Sequence, residues 1–129
     1  MLTGDKIKHT FKVDESVYSG FINVFKDNNP LHTNSNYAFQ KGFKGIVMHG
    51  NILNGFLSFF IGECLPTKDV IIHSQQISFT NPVYLNDELE FEAEVIDVIE
   101  SVKVIKFKFT FKNSIGKKVA KGEIQIGLT

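Results

Sequence analysis

Arginine and tryptophan are absent from this 129-residue chain, and cysteine occurs once. All fourteen basic residues are therefore lysines. Phosphates must be met by lysine point charges or backbone N–H groups, because no bidentate guanidinium fork is available. One cysteine excludes an intramolecular disulfide, and Cys64, set in an apolar run, reads as a buried structural thiol. An excess of either charge is also missing. Lys+Arg and Asp+Glu balance at 14 each, so nothing points to nucleic acid or an anionic membrane as partner. Long apolar runs are lacking too. The segment Ile52–Ile61 is broken by Asn54, Gly55 and Ser58 and is too short to span a bilayer, so it reads as a core helix. The stretch Met1–Lys6 has no basic region followed by an apolar one, so no signal peptide is expected. There is no repeat, linker or low-complexity tract. The expectation is one soluble cytoplasmic domain over 1–129.

What is present is a strong periodic pattern. Lys6 to Val13 reads as a short strand. Asp14 is a plausible N-cap for a helix to about Lys26, with Val17, Phe21, Val24 and Phe25 on one face. A loop carrying Asp27 and His32 follows. A short helix starts near Asn34 and stops at Gly42. The central helix runs from about His49 to Leu65, with apolar residues around most of its circumference, so it must be covered on most sides.

The C-terminal half reads as strand throughout. Val70 to Phe79 is one. Glu88 to Val98 alternates Glu90, Glu92 and Glu94 with Phe91, Ala93 and Val95. Val102 to Lys112 alternates Lys106, Lys108, Thr110 and Lys112 with Ile105, Phe107, Phe109 and Phe111. After a turn at Asn113–Gly116 comes a last strand with Ile124, Ile126 and Leu128. A period of two gives each strand one apolar and one polar face, and the glutamate and lysine faces can pair across neighbours. An antiparallel sheet with one apolar face beside a helix that needs covering curls around that helix. The fold class is α+β: a hotdog architecture of about five strands around a long helix.

Asp27 and His32 sit five positions apart across Pro30. Pro30 fixes its own φ and biases Asn29 toward extended geometry, so the two side chains can converge at small ordering cost. A carboxylate beside an imidazole can move protons on both sides of one water. The same spacing is equally served by a turn cap at Asp27 and a satisfied loop histidine at His32.

The run Asp27-x-Asn29-Pro30-x-His32-x5-Ala38 resembles the signature of the R-specific enoyl-CoA hydratases, the MaoC-like dehydratase family. Ile46-Val47-Met48-His49-Gly50, Leu65-Pro66, Gln76–Val83, Asp87-Glu88-Leu89 and Gly116-Lys117-x3-Lys121-Gly122-Glu123 resemble it in order and spacing, from about Val17 onward. The resemblance implies interconversion of a trans-2-enoyl-CoA and a (3R)-3-hydroxyacyl-CoA. It implies Asp27 and His32 as the catalytic pair holding water, Asn29 as the residue orienting them, and the Gly50 backbone N–H as donor to the thioester carbonyl. That last role has its own warrant, since free N–H groups at a helix start favour developing negative charge. His49 is left between loop positioning, helix capping and a direct role. His9 and His73 read as structural or exposed.

Two positions depart from the family pattern. Phe25-Lys26 stands where many members have a small residue and glycine before the aspartate. Gly55 stands where some members have a serine facing the active site, which leaves a substrate-binding role for position 55 open. The resemblance implies no cofactor beyond the thioester substrate, carried by CoA or by acyl carrier protein, with Lys41, Lys44, Lys117 and Lys118 available to either carrier. It also implies a homodimer. His32 and His49 lack an HxxxH or CxxC partner, so no metal is expected. A thioesterase and a non-catalytic acyl-thioester-binding protein are the rival functions, since hotdog proteins host both.

Overall fold

A computed structural model describes residues Met1–Thr129. Strand β1 (Lys6–Lys12) is followed by four helices: α1 (Glu15–Phe25), α2 (Pro30–Thr33), α3 (Ser35–Gln40) and α4 (Asn51–Glu63). Strands β2 (Val70–Phe79), β3 (Glu88–Ile99), β4 (Val104–Lys112) and β5 (Lys118–Leu128) complete the chain. The five strands form one antiparallel sheet in the order β1-β3-β4-β5-β2. The chain is thus α+β, with the helices on one face of a curled sheet.

The alternation in β3 and β4 sets the core. Leu89, Phe91, Ala93 and Val95 on β3 and Ile105, Phe107, Phe109 and Phe111 on β4 are all buried. They meet Leu57 and Phe60 of α4, with the Phe60 and Phe91 ring centroids 4.9 Å apart. The opposite faces carry the charges. Lys6 bridges Glu92 and Glu94, Lys8 bridges Glu92, and Lys108 bridges Glu94, at 3.4–3.8 Å. Such exposed pairs contribute little stability singly, about 0–1 kcal/mol each, but they fix which face points outward. Register is also marked by glycine. A Cβ at Gly122 would stand 1.8 Å from the Gln76 carbonyl oxygen across the β2–β5 ladder, so only glycine fits there.

Four expectations need correction. The loop after Asp27 contains a helical turn, α2, because Asn29 accepts a hydrogen bond from the Leu31 N–H (3.0 Å) and Pro30 occupies the first helical position, where its missing N–H costs nothing. The strand expected from Val102 begins at Val104, since Glu100–Val102 forms a 3-10 turn closed by Lys103 in the left-handed region. Cys64 is half-buried at the end of α4 rather than enclosed. The central helix is covered on one side only. Ile52, Leu53, Leu57, Phe60 and Ile61 are buried, while Asn51, Gly55, Ser58, Phe59 and Gly62 are exposed.

The candidate active site

The site forms where α1, α2 and the start of α4 meet. Asp14 starts α1 by accepting from the Val17 N–H. Lys26, with φ 63°, ends it in a left-handed cap whose N–H donates to the Ile22 carbonyl. This cap turns the chain so that Asp27 leads directly into α2. Asp27 Oδ1 accepts the Asn29 N–H at 3.1 Å. That leaves Oδ2 turned to His32, whose Nε2 lies 4.0 Å away.

His32 is fixed by three hydrogen bonds. Its N–H donates to the Asn29 carbonyl (2.8 Å). Its own carbonyl accepts the Tyr18 hydroxyl (2.5 Å). Its ring Nδ1 lies 2.7 Å from the Val47 carbonyl oxygen. A carbonyl only accepts, so Nδ1 carries the proton and Nε2 of the neutral ring presents a lone pair toward Asp27. Two acceptors then face each other across 4.0 Å. A water donating one hydrogen to each closes that gap through two bonds of about 2.8 Å meeting at about 90°. The Asp27 side chain is 50% exposed and that of His32 only 17%, so solvent enters from the aspartate side.

His49 is buried at 3% exposure. Its Nε2 donates to the Asp27 carbonyl at 2.9 Å, and its ring stacks on His32 with centroids 4.0 Å apart. Phe21 closes the other side at 4.6 Å. His49 Nδ1 has no partner. Ligand atoms of Asp27, His32 and His49 lie within 4.8 Å of one another. The two rings are near-parallel, 28° apart, and each already gives one nitrogen to a carbonyl. Stacked rings 4.0 Å apart cannot both hold one ion in their ring planes, which makes the pair a poor cage for a tetrahedral metal.

Gly50 heads α4 with φ −57° and ψ −36°. Its carbonyl accepts the Leu53 N–H, but its own N–H donates to no group of the protein. A Cβ here would stand 3.1 Å from the Phe79 ring, so glycine keeps that approach open. Asp27, His32, His49 and Gly50 line one cavity of about 380 Å³, together with Val47, Phe79 and Asn81. Of the residues singled out from sequence, Asp27, His32, His49 and Gly50 thus converge. Asn29 acts through its backbone and as the α2 cap. Gly55 lies outside this cavity, in a groove between α1 and α4.

Sequence reasoning missed Tyr18, the Val47 carbonyl and Phe79. Tyr18 is half-buried, and its hydroxyl pKa is raised, first by desolvation and then by the charge of Glu15. The one available signal was a tyrosine adjoining the apolar Val17–Phe21 face of α1. Nothing in a side-chain pattern marks a carbonyl.

The family model described as the MaoC like domain matches residues 2–117. An (R)-specific enoyl-CoA hydratase of Rhodospirillum rubrum is 31% identical over 88% of this chain and 78% of its own length. A mitochondrial 3-hydroxyacyl-[acyl-carrier-protein] dehydratase of Arabidopsis thaliana is 28% identical over 93% of this chain and 73% of its own. Among solved structures, the (R)-hydratase from A. caviae involved in PHA biosynthesis superposes with a TM-score of 0.91, covering 100% of this chain and 98% of that one at 26% identity. The match along almost the whole chain and the shared hotdog fold make this protein a member of the MaoC-like domain family.

Proposed function

We propose that this chain is a hydro-lyase that interconverts a trans-2-enoyl thioester and a (3R)-3-hydroxyacyl thioester. One observation carries the reading: two acceptors, Asp27 Oδ2 and His32 Nε2, face each other across a water-sized gap in a cavity that also holds the free Gly50 N–H. The thioester oxygen accepts from that N–H at the positive end of α4, which draws charge from C3. The bridging water attacks C3 and gives its proton to the pair. The resulting enolate takes a proton at C2 from the same pair. The net change adds H and OH across one double bond and needs no electron carrier, so neither cofactor nor metal is called for. Dehydration is the same path reversed.

The substrate in this proposal is an acyl-CoA, with acyl carrier protein as the alternative carrier. The names of the two relatives cover both. Lys117 and Lys118 directly precede Val119, a lining residue of the cavity, in sequence, and Lys44 stands over the Tyr84 ring at 4.7 Å. A pair of such chains is the proposed assembly. Strand β2 is a sheet edge with Ile71 55% and Phe79 51% exposed, and apolar edges tend to be covered. A single cytoplasmic domain over 1–129 completes the proposal. No helix is long and apolar enough to cross a membrane.

Incubation with crotonyl-CoA tests the reaction. The enoyl-thioester absorbance is expected to fall without release of free thiol. Thiol release at the same rate would mark a thioesterase, and binding without either change would mark a non-catalytic module.

A further inference from the structure

Three amide side chains run in file toward the site. Gln75 of the edge strand β2 donates Nε2 to Asn54 Oδ1 at 2.7 Å, and Asn54 donates Nδ2 to Asn51 Oδ1 at 2.8 Å. Gln75 pairs in register with the buried Ile124, so its side chain shares the sheet face turned to α4. Asn54 and Asn51 lie three residues apart on α4, where side chains are neighbours. Each link uses one oxygen and one NH2 group. The inner end of the file is therefore Asn51 Nδ2, which meets no acceptor of the protein. Asn51 lines the cavity that holds Asp27, His32 and Gly50. Asparagine at a helix start ordinarily caps it, yet the cap position here is Gly50 and no side chain caps α4. The Asn51 amide is thus committed to Asn54 on one side and to nothing on the other.

We propose that Asn51 Nδ2 is a second donor to the substrate's thioester oxygen, beside the Gly50 N–H, and that Asn54 and Gln75 are the residues that position it. The inference rests on the thioester reading above and adds a group to its oxyanion site. A carbonyl oxygen has two lone pairs. The Gly50 N–H takes one, and Asn51 follows Gly50 directly in the chain. Helical side chains lean toward the N-terminal end of their helix, which for Asn51 is the side of Gly50. Negative charge grows on the thioester oxygen as water adds at C3, and a fixed dipole aimed at it lowers the barrier. Order in the file matters, because an asparagine free to turn over would offer its oxygen as readily as its nitrogen, and oxygen facing oxygen repels. Asn54 prevents this by holding Oδ1, and Gln75 holds Asn54 in turn. To turn over, all three amides must turn together. A carboxamide gives up no proton at neutral pH, so proton transfer stays with Asp27 and His32.

Steady-state hydration of crotonyl-CoA, taken beside thermal midpoints, tests this. Asn51 is exposed, so folding is not at stake in its variants. Asn51→Ala should lower kcat about 10–100-fold, the effect of losing one hydrogen bond to a developing charge. KM should change little, because the bond is strongest in the transition state. Asn51→Asp puts an acceptor where the donor stood. Its anion suits the positive end of α4, so its midpoint should hold or rise while kcat falls further than in Asn51→Ala. Asn54→Leu should lower kcat severalfold, yet add nothing to Asn51→Ala in the double variant, since Asn54 acts only through Asn51. Unchanged kcat in both Asn51 variants overturns the proposal. So does a loss confined to KM, or an additive loss in the double variant. Inactivity of the unmodified protein toward crotonyl-CoA would instead remove the hydratase reading and this donor with it, whereas the other failures occur in an active enzyme.

Discussion

Phe107 and His49 are both shut away from solvent, at 0% and 3% exposure, yet they are held in opposite ways. Phe107 sits among apolar neighbours on β3, β4 and α4, with the Phe60 ring 5.3 Å away. It asks only for volume and oiliness. His49 makes one hydrogen bond, to the Asp27 carbonyl, stacks on His32, and leaves a nitrogen without a partner. A buried polar atom without a partner costs about 1–3 kcal/mol. The core region is built for stability. The site region gives some up to hold two side chains 4.0 Å apart.

Substitutions can separate the two regions. The largest effect is expected at Gly50. Gly50→Pro removes the N–H while keeping a φ that proline accepts, and should lower turnover by about 10²–10³-fold, the effect of losing one oxyanion donor. Gly50→Ala keeps the N–H and needs only a small shift of the exposed Phe79 ring. Its loss of turnover should be far smaller. Equal losses in the two variants would show that bulk, not the donor, matters at this position.

Next comes the direct contrast. Phe107→Ala should cost about 3–5 kcal/mol in a urea titration, the range for a large-to-small core change, with turnover per folded molecule retained. His49→Phe should shift stability by no more than about 1 kcal/mol, since it removes an unsatisfied nitrogen along with one hydrogen bond. It should lower turnover at least tenfold, because the Asp27 backbone and the His32 ring lose their support. If His49→Phe also unfolds the protein, the site and the core are not distinct in the way described.

The smallest effect lies at Tyr18. Tyr18→Phe deletes the hydroxyl bond to the His32 carbonyl and should cost about 0.5–1.5 kcal/mol at neutral pH. The hydroxyl pKa is raised in the folded state, chiefly by desolvation. Its contribution is therefore complete below the unfolded tyrosine pKa and lost as pH climbs through the folded one. The gap in urea midpoint between the two proteins should close on going from neutral to strongly alkaline solution. A gap that widens there would contradict the assignment.

The same contrast explains what could be read from sequence. The period-two runs in β3 and β4 give the sheet and its buried face, because alternation leaves a strand no other way to hide Phe91, Phe107, Phe109 and Phe111. Asp27, His32, His49 and Gly50 stand out as residue types with chemistry at a helix start. Backbone placement was not legible. The tautomer of His32 is set by the Val47 carbonyl, fifteen residues away. His49 acts on the Asp27 carbonyl across twenty-two. A carbonyl is the same at every position, so no pattern reports which one will matter. The open side of α4 was missed for a related reason. Its apolar residues spread around the helix, and sequence does not say which of them one layer of sheet will reach.

The central claim is that Asp27 and His32 act together on one water. The most direct measurement is the rate of crotonyl-CoA absorbance loss in Asp27→Asn and His32→Ala, taken beside the thermal midpoint of each. The expected result is at least ~10²-fold slower turnover in both, the scale of positioned acid–base catalysis, with midpoints close to that of the unmodified protein. Near-normal rates in both folded variants would contradict the account.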